Sequence, residues 1–353
     1  MKRKKYLLKT PHLFLLLIIL FLISSCQAAS LVLEKPVAEK IDQIPPGMSE
    51  AEGTTLSSLE QIDPFPLYIM VYEADYSQAA ADVLVGEGSA QSWACSLFTA
   101  MSDPEGMLLG RNFDWDFSPA LLLFTDPSDG YASVSMVDIA YLGYGEERAF
   151  GLVDLPLSEL AALLDAPYLP FDGMNEAGLA VGMAAVSPGG MEDDPEKETI
   201  DSLMVIREIL DQAATVDEAV DILESCNIDW GNGPPLHYLI AEKSGRSVLV
   251  EFSRGEMAVM PNRDPWQLAT NFLVSESDTS PQGSCWRYDL VFERLKEANG
   301  QLNPRQALNL LGEVAQESTQ WSVVYGISSR EVRVVMGRQY DNVHTLDMVQ
   351  NNQ

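Results

Sequence analysis

The chain reads as an α+β protein built on antiparallel sheets. Strand-length apolar runs arrive in hairpin-like neighbours, helical runs arrive in pairs, and strict strand–helix–strand alternation is absent. The 259 residues from Cys95 to Gln353 suffice for one large domain with a substantial core, and no internal repeat interrupts them.

Residues 1–26 carry the pattern of an export signal. Lys2, Arg3, Lys4, Lys5 and Lys9 precede an eleven-residue apolar run, 13–23, well short of the ~20 residues a spanning helix needs. Ile23-Ser24-Ser25-Cys26 has the form of a lipoprotein processing box, with Cys26 as the lipidated residue. An ordinary signal with an incidental Cys26 is the alternative. Lipid there would make the protein an envelope-anchored, extracytoplasmic one that touches the membrane only through its anchor. Residues 27–53 are polar, acidic and broken by Pro36, Pro45, Pro46 and Gly47, as in a flexible tether. Residues 54–94 form a pro-segment or small subunit that is partly folded, because Leu67 to Tyr72 is an apolar, aromatic strand. The small, polar stretch 86–92 suits an exposed processing site.

Residues 95–353 make the main domain. Strand-like runs lie at 131–141, 179–186, 237–241, 247–252, 322–327 and 332–336, with Lys243-Ser244-Gly245-Arg246 as a hairpin turn. Leu203, Ile206, Ile209, Leu210 and Ala213 have helical spacing. Thr215 and Glu218 form a capping box for a helix through Leu223. A third helix is expected from Trp286 to about Ala298, and a fourth opens at Asn303-Pro304.

Removing residues 1–25 strips five positive charges and no negative ones, so the formal charge goes from −30 to −35. Such a surface repels nucleic acid and anionic lipid heads, and neither is expected as a partner. Of the four cysteines, Cys226 and Cys285 remain after Cys26 and Cys95 are assigned. Export permits a disulfide between them, and two unpaired thiols fit equally. No CxxC or His/Cys cluster calls for a metal, and no cofactor is expected.

The chemistry points to Cys95. Arg111 follows sixteen residues later and Asp114 three after that, a spacing that suits a strand, a turn and a strand running back. The small Ala94 leaves the Ala94–Cys95 peptide open to attack. Once cut, Cys95 becomes an N-terminal residue whose α-amine, with a pKa near ~8, is a base beside the thiol. Arg111 would favour the thiolate and Asp114 would hold the α-amine. Histidine is not needed for this, and it is scarce: His12 lies in the signal, His237 begins a strand and His344 sits in the polar tail.

Cys95-Ser96, Gly110-Arg111-Asn112-Phe113-Asp114, Asp172-Gly173-Met174-Asn175-Glu176-Ala177-Gly178-Leu179, Ala269-Thr270-Asn271 and Ser284-Cys285-Trp286-Arg287-Tyr288 together resemble the choloylglycine hydrolase group of N-terminal nucleophile amidohydrolases. That group takes in bile-salt hydrolases, penicillin V acylases and, more distantly, acid ceramidase. The resemblance runs from Cys95 to about Gly337. It implies an αββα four-layer sandwich and an autoprocessed cysteine enzyme that hydrolyses linear amides through a thioester. It further implies that Cys95 is nucleophile and base, that Arg111 and Asp114 flank it, that Asn271 donates its amide to the oxyanion, and that Arg287 orients the site from the far side. Relatives often carry Asn or Tyr where this chain has Ala185, which leaves the second oxyanion donor unassigned and reshapes the pocket.

Several residues have plainer readings. Asp172-Gly173 and 175–178 mark a turn between strands, with Asn175 structural. Residues 119–124 either line an acyl pocket or form a core strand. The acyl-enzyme could pass its acyl group to an amine, as in an acyltransferase, and a non-catalytic lipoprotein binding module is the reading from another class. The expected partner is a small N-acyl amide, with a retained pro-segment as a possible subunit.

Overall fold

The computed structural model describes residues 44–76, 94–103, 105–187, 189–231, 233–277 and 281–348. The export signal with Cys26, the tether up to residue 43 and the 86–92 stretch lie outside the described residues.

The chain opens with helix α1 (Glu50–Ser57), strands β1 (Glu60–Asp63) and β2 (Leu67–Tyr72), then β3 (Ser96–Ala100), β4 (Leu108–Asp114), β5 (Ala120–Thr125) and β6 (Ser133–Asp138). After a run of 3-10 turns come β7 (Pro170–Asn175), β8 (Leu179–Ala185), β9 (Glu198–Asp201), α2 (Met204–Gln212), α3 (Val216–Ser225) and β10 (Cys226–Asp229). Strands β11 (Leu236–Glu242), β12 (Ser247–Ser253), β13 (Glu256–Pro261) and β14 (Trp266–Ala269) follow. The last elements are α4 (Trp286–Glu297), α5 (Pro304–Val314), β15 (Thr319–Gly326), β16 (Glu331–Met336) and β17 (His344–Asp347).

Two sheets face each other. One has the order β1-β2-β5-β6-β7-β8-β11-β12-β13, the other β14-β3-β4-β15-β16-β17. Helices α2 and α3 cover the outer face of the first, and α4 and α5 the outer face of the second, which gives the αββα sandwich. Because both faces of each sheet are covered, the central strands are buried at every residue and not at alternate ones. In β3 and β4, Leu97, Leu109 and Phe113 join the core between the sheets. Phe98 and Leu108 pack under α4 and α5. The sheets approach closely at Gly182, where a Cβ would lie 2.8 Å from Leu97 and within van der Waals contact of Arg111.

Neighbouring strands are antiparallel except β2 beside β5, where Leu67 pairs with Ala120, and β9 beside β10. Strand β2 is thus part of the main sheet, not a separate unit. It is tied further by Tyr68 Oη to the Ala149 carbonyl and Tyr72 Oη to the Leu164 carbonyl, both at 2.8 Å.

The helix starts are encoded locally. Thr215 with Glu218 and Asn303 with Gln306 form reciprocal capping boxes, and Pro304 occupies the first turn. Gly245 in the β11–β12 turn has φ of +90°, a conformation costly for any side chain.

Four expectations change. The tether does not run to residue 53: α1 starts at Glu50, capped by Ser49 and Glu52, and Gly53 is buried where a Cβ would meet Ile44. Asp172 and Gly173 are not in a turn but inside β7, because Gly173 lets Leu210 of α2 pack against the sheet. His344 is not in a loose tail, since it sits in β17 with Nε2 2.6 Å from Asp63 Oδ2. The run 131–141 shortens to β6, because the Asp138 carboxylate caps a 3-10 turn at Ile139–Leu142.

Candidate active site

Cys95 lies immediately ahead of β3 and is 3% exposed. The expected strand–turn–strand is β3 and β4, paired so that Leu97 faces Arg111 and Ser96 faces Asn112. That register brings Arg111, on the inter-sheet face, close enough to act on the Cys95 thiol. Burial pushes that thiol up, and Arg111 is the strongest influence in the opposite direction.

Arg111 is itself fully buried and held by a partner that the sequence reading placed in a turn. It pairs with the equally buried Asp172, whose other oxygen accepts from the Tyr325 hydroxyl. Its Nη1 also donates to the Phe171 carbonyl at 3.1 Å, and its guanidinium lies 5.0 Å from the Phe113 ring centre. Asp172 is the partner of the candidate site that sequence reasoning missed. The signal was its place at the head of a quoted motif, obscured because Asp-Gly is also a turn former. Asn175, by contrast, is structural. It donates to the Leu210 and Ala213 carbonyls at 2.9 and 2.7 Å and accepts from Leu179 N at 3.1 Å, fastening α2 to the β7–β8 hairpin.

Asp114 ends β4, fully buried, with Oδ1 accepting from the Thr319 hydroxyl. Its Oδ2 has no partner among the described residues. Burial raises this carboxyl to about 7, so it exchanges protons near neutrality.

Arg287, on the first turn of α4, reaches the site from the other side. Its Nη1 donates to the Ala94 carbonyl at 2.6 Å, to the Cys95 carbonyl and to Ser96 Oγ at 3.1 Å. Its Nη2 donates to Asn271 Oδ1 at 3.1 Å. Asn271, just past β14, donates Nδ2 to the Ala185 carbonyl at 2.8 Å. Ala94, Cys95, Arg287, Asn271 and Ala185 thus form one connected chain of hydrogen bonds, and Arg111 and Asp114 approach the thiol from β4.

A buried carboxylate secures the loop that carries Asn271. Glu251 accepts from Val274 N and Ser275 N, each at 2.9 Å, and lies 3.0 Å from His237 Nδ1. Burial opposes its ionisation, yet the bonds from His237 and Ser275 hold it below the ordinary range. His237 is therefore a structural strand residue, and both described histidines bond carboxylates, not Cys95. Cys226 and Cys285 are free thiols, so the disulfide alternative falls away. Residues 120–125 are a fully buried central strand, which closes the acyl-pocket reading of that segment. Among the described residues no three His, Cys, Asp or Glu side chains converge as metal ligands would.

The architecture matches solved enzymes. A penicillin V acylase from Agrobacterium tumefaciens is similar with a TM-score of 0.51 and 18% identity, over 72% of this chain and 86% of that one. Two mutant forms of the conjugated bile acid hydrolase from Clostridium perfringens are similar as well. One has a TM-score of 0.51 at 18% identity, over 74% of this chain and 93% of that one. The other has 0.50 at 15%, over 73% and 93%. At these identities the likeness establishes the fold, that of N-terminal nucleophile hydrolases. The sequence between Cys95 and Asn271 also matches the model of a family described as linear amide C–N hydrolases, choloylglycine hydrolase family. With half of its length matched, from the candidate nucleophile to the candidate oxyanion donor, the chain belongs to the choloylglycine hydrolase family and is a linear amide C–N hydrolase.

Proposed function

We propose that this hydrolase is exported, cuts itself between Ala94 and Cys95, and then cleaves N-acyl amides through a thioester on Cys95. The observation that carries the self-cleavage and the role of Cys95 is the environment of one peptide bond. A buried thiol precedes β3, Arg287 donates to the carbonyl on the far side of the bond at 2.6 Å, and Asp114 offers an unpartnered carboxylate oxygen.

After the cut, the Cys95 α-amine takes the thiol proton and the sulfur attacks the substrate carbonyl. One N–H of the Asn271 amide stays on the Ala185 carbonyl and fixes the side chain, leaving the other for the oxyanion. The amine leaves with the proton, and water releases the acyl group. Water enters on the same base, since the α-amine is free again once the amine has gone.

Residues 44–76 stay with the enzyme as a small subunit, because β2 is hydrogen-bonded between β1 and β5. A lipid on Cys26 then anchors the whole assembly to the membrane. The substrate is an N-acyl amide with an apolar acyl chain. The relatives, named for penicillin V and conjugated bile acids, motivate a panel of phenoxyacyl β-lactams, acyl-amino acids and acyl ethanolamines. A thiol-directed acyl probe should label wild-type protein and not Cys95→Ser. Equal labelling of the two, or turnover of the panel by Cys95→Ser at the wild-type rate, would refute the role of Cys95.

A further inference from the structure

The uncut chain must make its first cut without the machinery that serves turnover. The Cys95 nitrogen is still an amide and cannot act as a base. The Asn271 amide donates to the Ala185 carbonyl and makes no hydrogen bond to the Ala94 carbonyl. Arg111 is committed to Asp172 and Phe171. The group that does touch the carbonyl to be broken is Arg287.

We propose that Arg287 is the catalytic electrophile of self-maturation, stabilising the oxyanion that forms on the Ala94 carbonyl when Cys95 attacks it. This rests on the self-cleavage reading above and assigns its missing part. A charge-assisted N–H···O contact aimed at the oxygen where charge develops, from a largely buried guanidinium, is the arrangement that lowers such a barrier most. Arg287 holds the bond from both sides, through the Ala94 carbonyl, the Cys95 carbonyl and Ser96 Oγ, so the peptide is presented in one orientation.

The step balances with this chain's own groups. The thiol proton passes to Asp114 Oδ2, the buried oxygen left without a hydrogen bond, once the thiol turns toward it. The sulfur forms a bond to the Ala94 carbonyl carbon, and the carbonyl π pair moves onto oxygen, facing Arg287. Collapse restores the carbonyl and breaks the carbon–nitrogen bond. The departing nitrogen takes the proton back from Asp114 and becomes the α-amine of Cys95. Water then hydrolyses the thioester, leaving the Ala94 carboxylate and a free thiol. Arg287 afterwards keeps its bond to Asn271 and passes from electrophile to positioning residue.

The test follows cleavage of freshly synthesised full-length chain by intact mass against time. Arg287→Ala, with native circular dichroism, should mature about 10²–10³-fold more slowly, the range for loss of one oxyanion donor. Added guanidinium ion should restore part of the rate. Wild-type maturation by Arg287→Ala, or a slow rate that guanidinium leaves unchanged, would overturn the proposal. If Arg287→Ala fails to fold, Arg287→Gln decides. It keeps a planar donor without the charge and should be slower by about tenfold or more, whereas an unchanged rate overturns the proposal. A wild-type chain that stays uncut yet active would instead sink the self-cleavage reading itself.

Discussion

Replacing Asp172 by asparagine tests whether the carboxylate that holds Arg111 is what lets a cation sit beside the nucleophile. Both side chains are fully buried, and Arg111 Nε already lacks a partner among the described residues. The amide side chain of Asp172→Asn would keep the shape, and the Phe171 carbonyl would still accept at 3.1 Å, but the guanidinium charge would lose its counter-charge in the core. Removing one partner of a buried pair typically costs about 3–5 kcal/mol. At about 2–4 °C of melting temperature per kcal/mol for a domain of this order of size, the expected drop is about 6–20 °C. The lower end applies if Tyr325 turns its hydroxyl to accept from the new amide. Differential scanning calorimetry on Asp172→Asn, Arg111→Leu and the double variant gives the full cycle. The double variant should recover much of the loss, since it no longer buries an unpaired charge. A single variant melting within about 2 °C of wild type, or a double variant worse than both singles together, would refute the reasoning.

Three further outcomes follow from the same geometry. Burial raises Asp138 to about 7, against ~3.9 unfolded, so the native state binds the extra proton between those values. Stability on this account is highest at the acid end of that window and falls as pH rises through 7. Asp138→Asn removes the dependence, so its melting temperature should gain on wild type from pH 5 to pH 8, and parallel curves would contradict this. Asn271→Ala should lower turnover by about 10²–10³ while the chain still matures, because Arg287 and not Asn271 bonds the Ala94 carbonyl in the uncut chain; steady-state kinetics and intact mass read the two separately. Glu251→Gln replaces one acceptor oxygen with a donor facing Val274, Ser275 or His237. Loosening the Asn271 loop should lower kcat by about tenfold or more with little change in KM, and a pure KM effect would place Glu251 elsewhere.

Local signals carried much of the fold. The capping box at Thr215, the Asn303-Pro304 helix start and the Gly245 turn form as read, because each is satisfied within a few residues. The spacing of Cys95, Arg111 and Asp114 gave the β3–β4 hairpin for the same reason. What escaped notice depends on distant partners. Asp172-Gly173 has turn chemistry and yet lies in a strand, because Arg111 in the opposing sheet and Leu210 in α2 decide its surroundings. Helix α1 carries a buried glycine and a weak apolar face, and it is stabilised by packing against β2. His344 reads as tail until Asp63, nearly three hundred residues earlier, is seen to receive it. Arg287 was legible as a site residue from its motif, but its hold on the Ala94 carbonyl was not, since no spacing rule connects positions so far apart.

The most direct measurement is terminal sequencing of purified, active protein, paired with intact mass. The account predicts that the large fragment begins at Cys95 and that a Cys95→Ala chain remains whole. Full activity in a preparation whose Ala94–Cys95 bond is unbroken would contradict it.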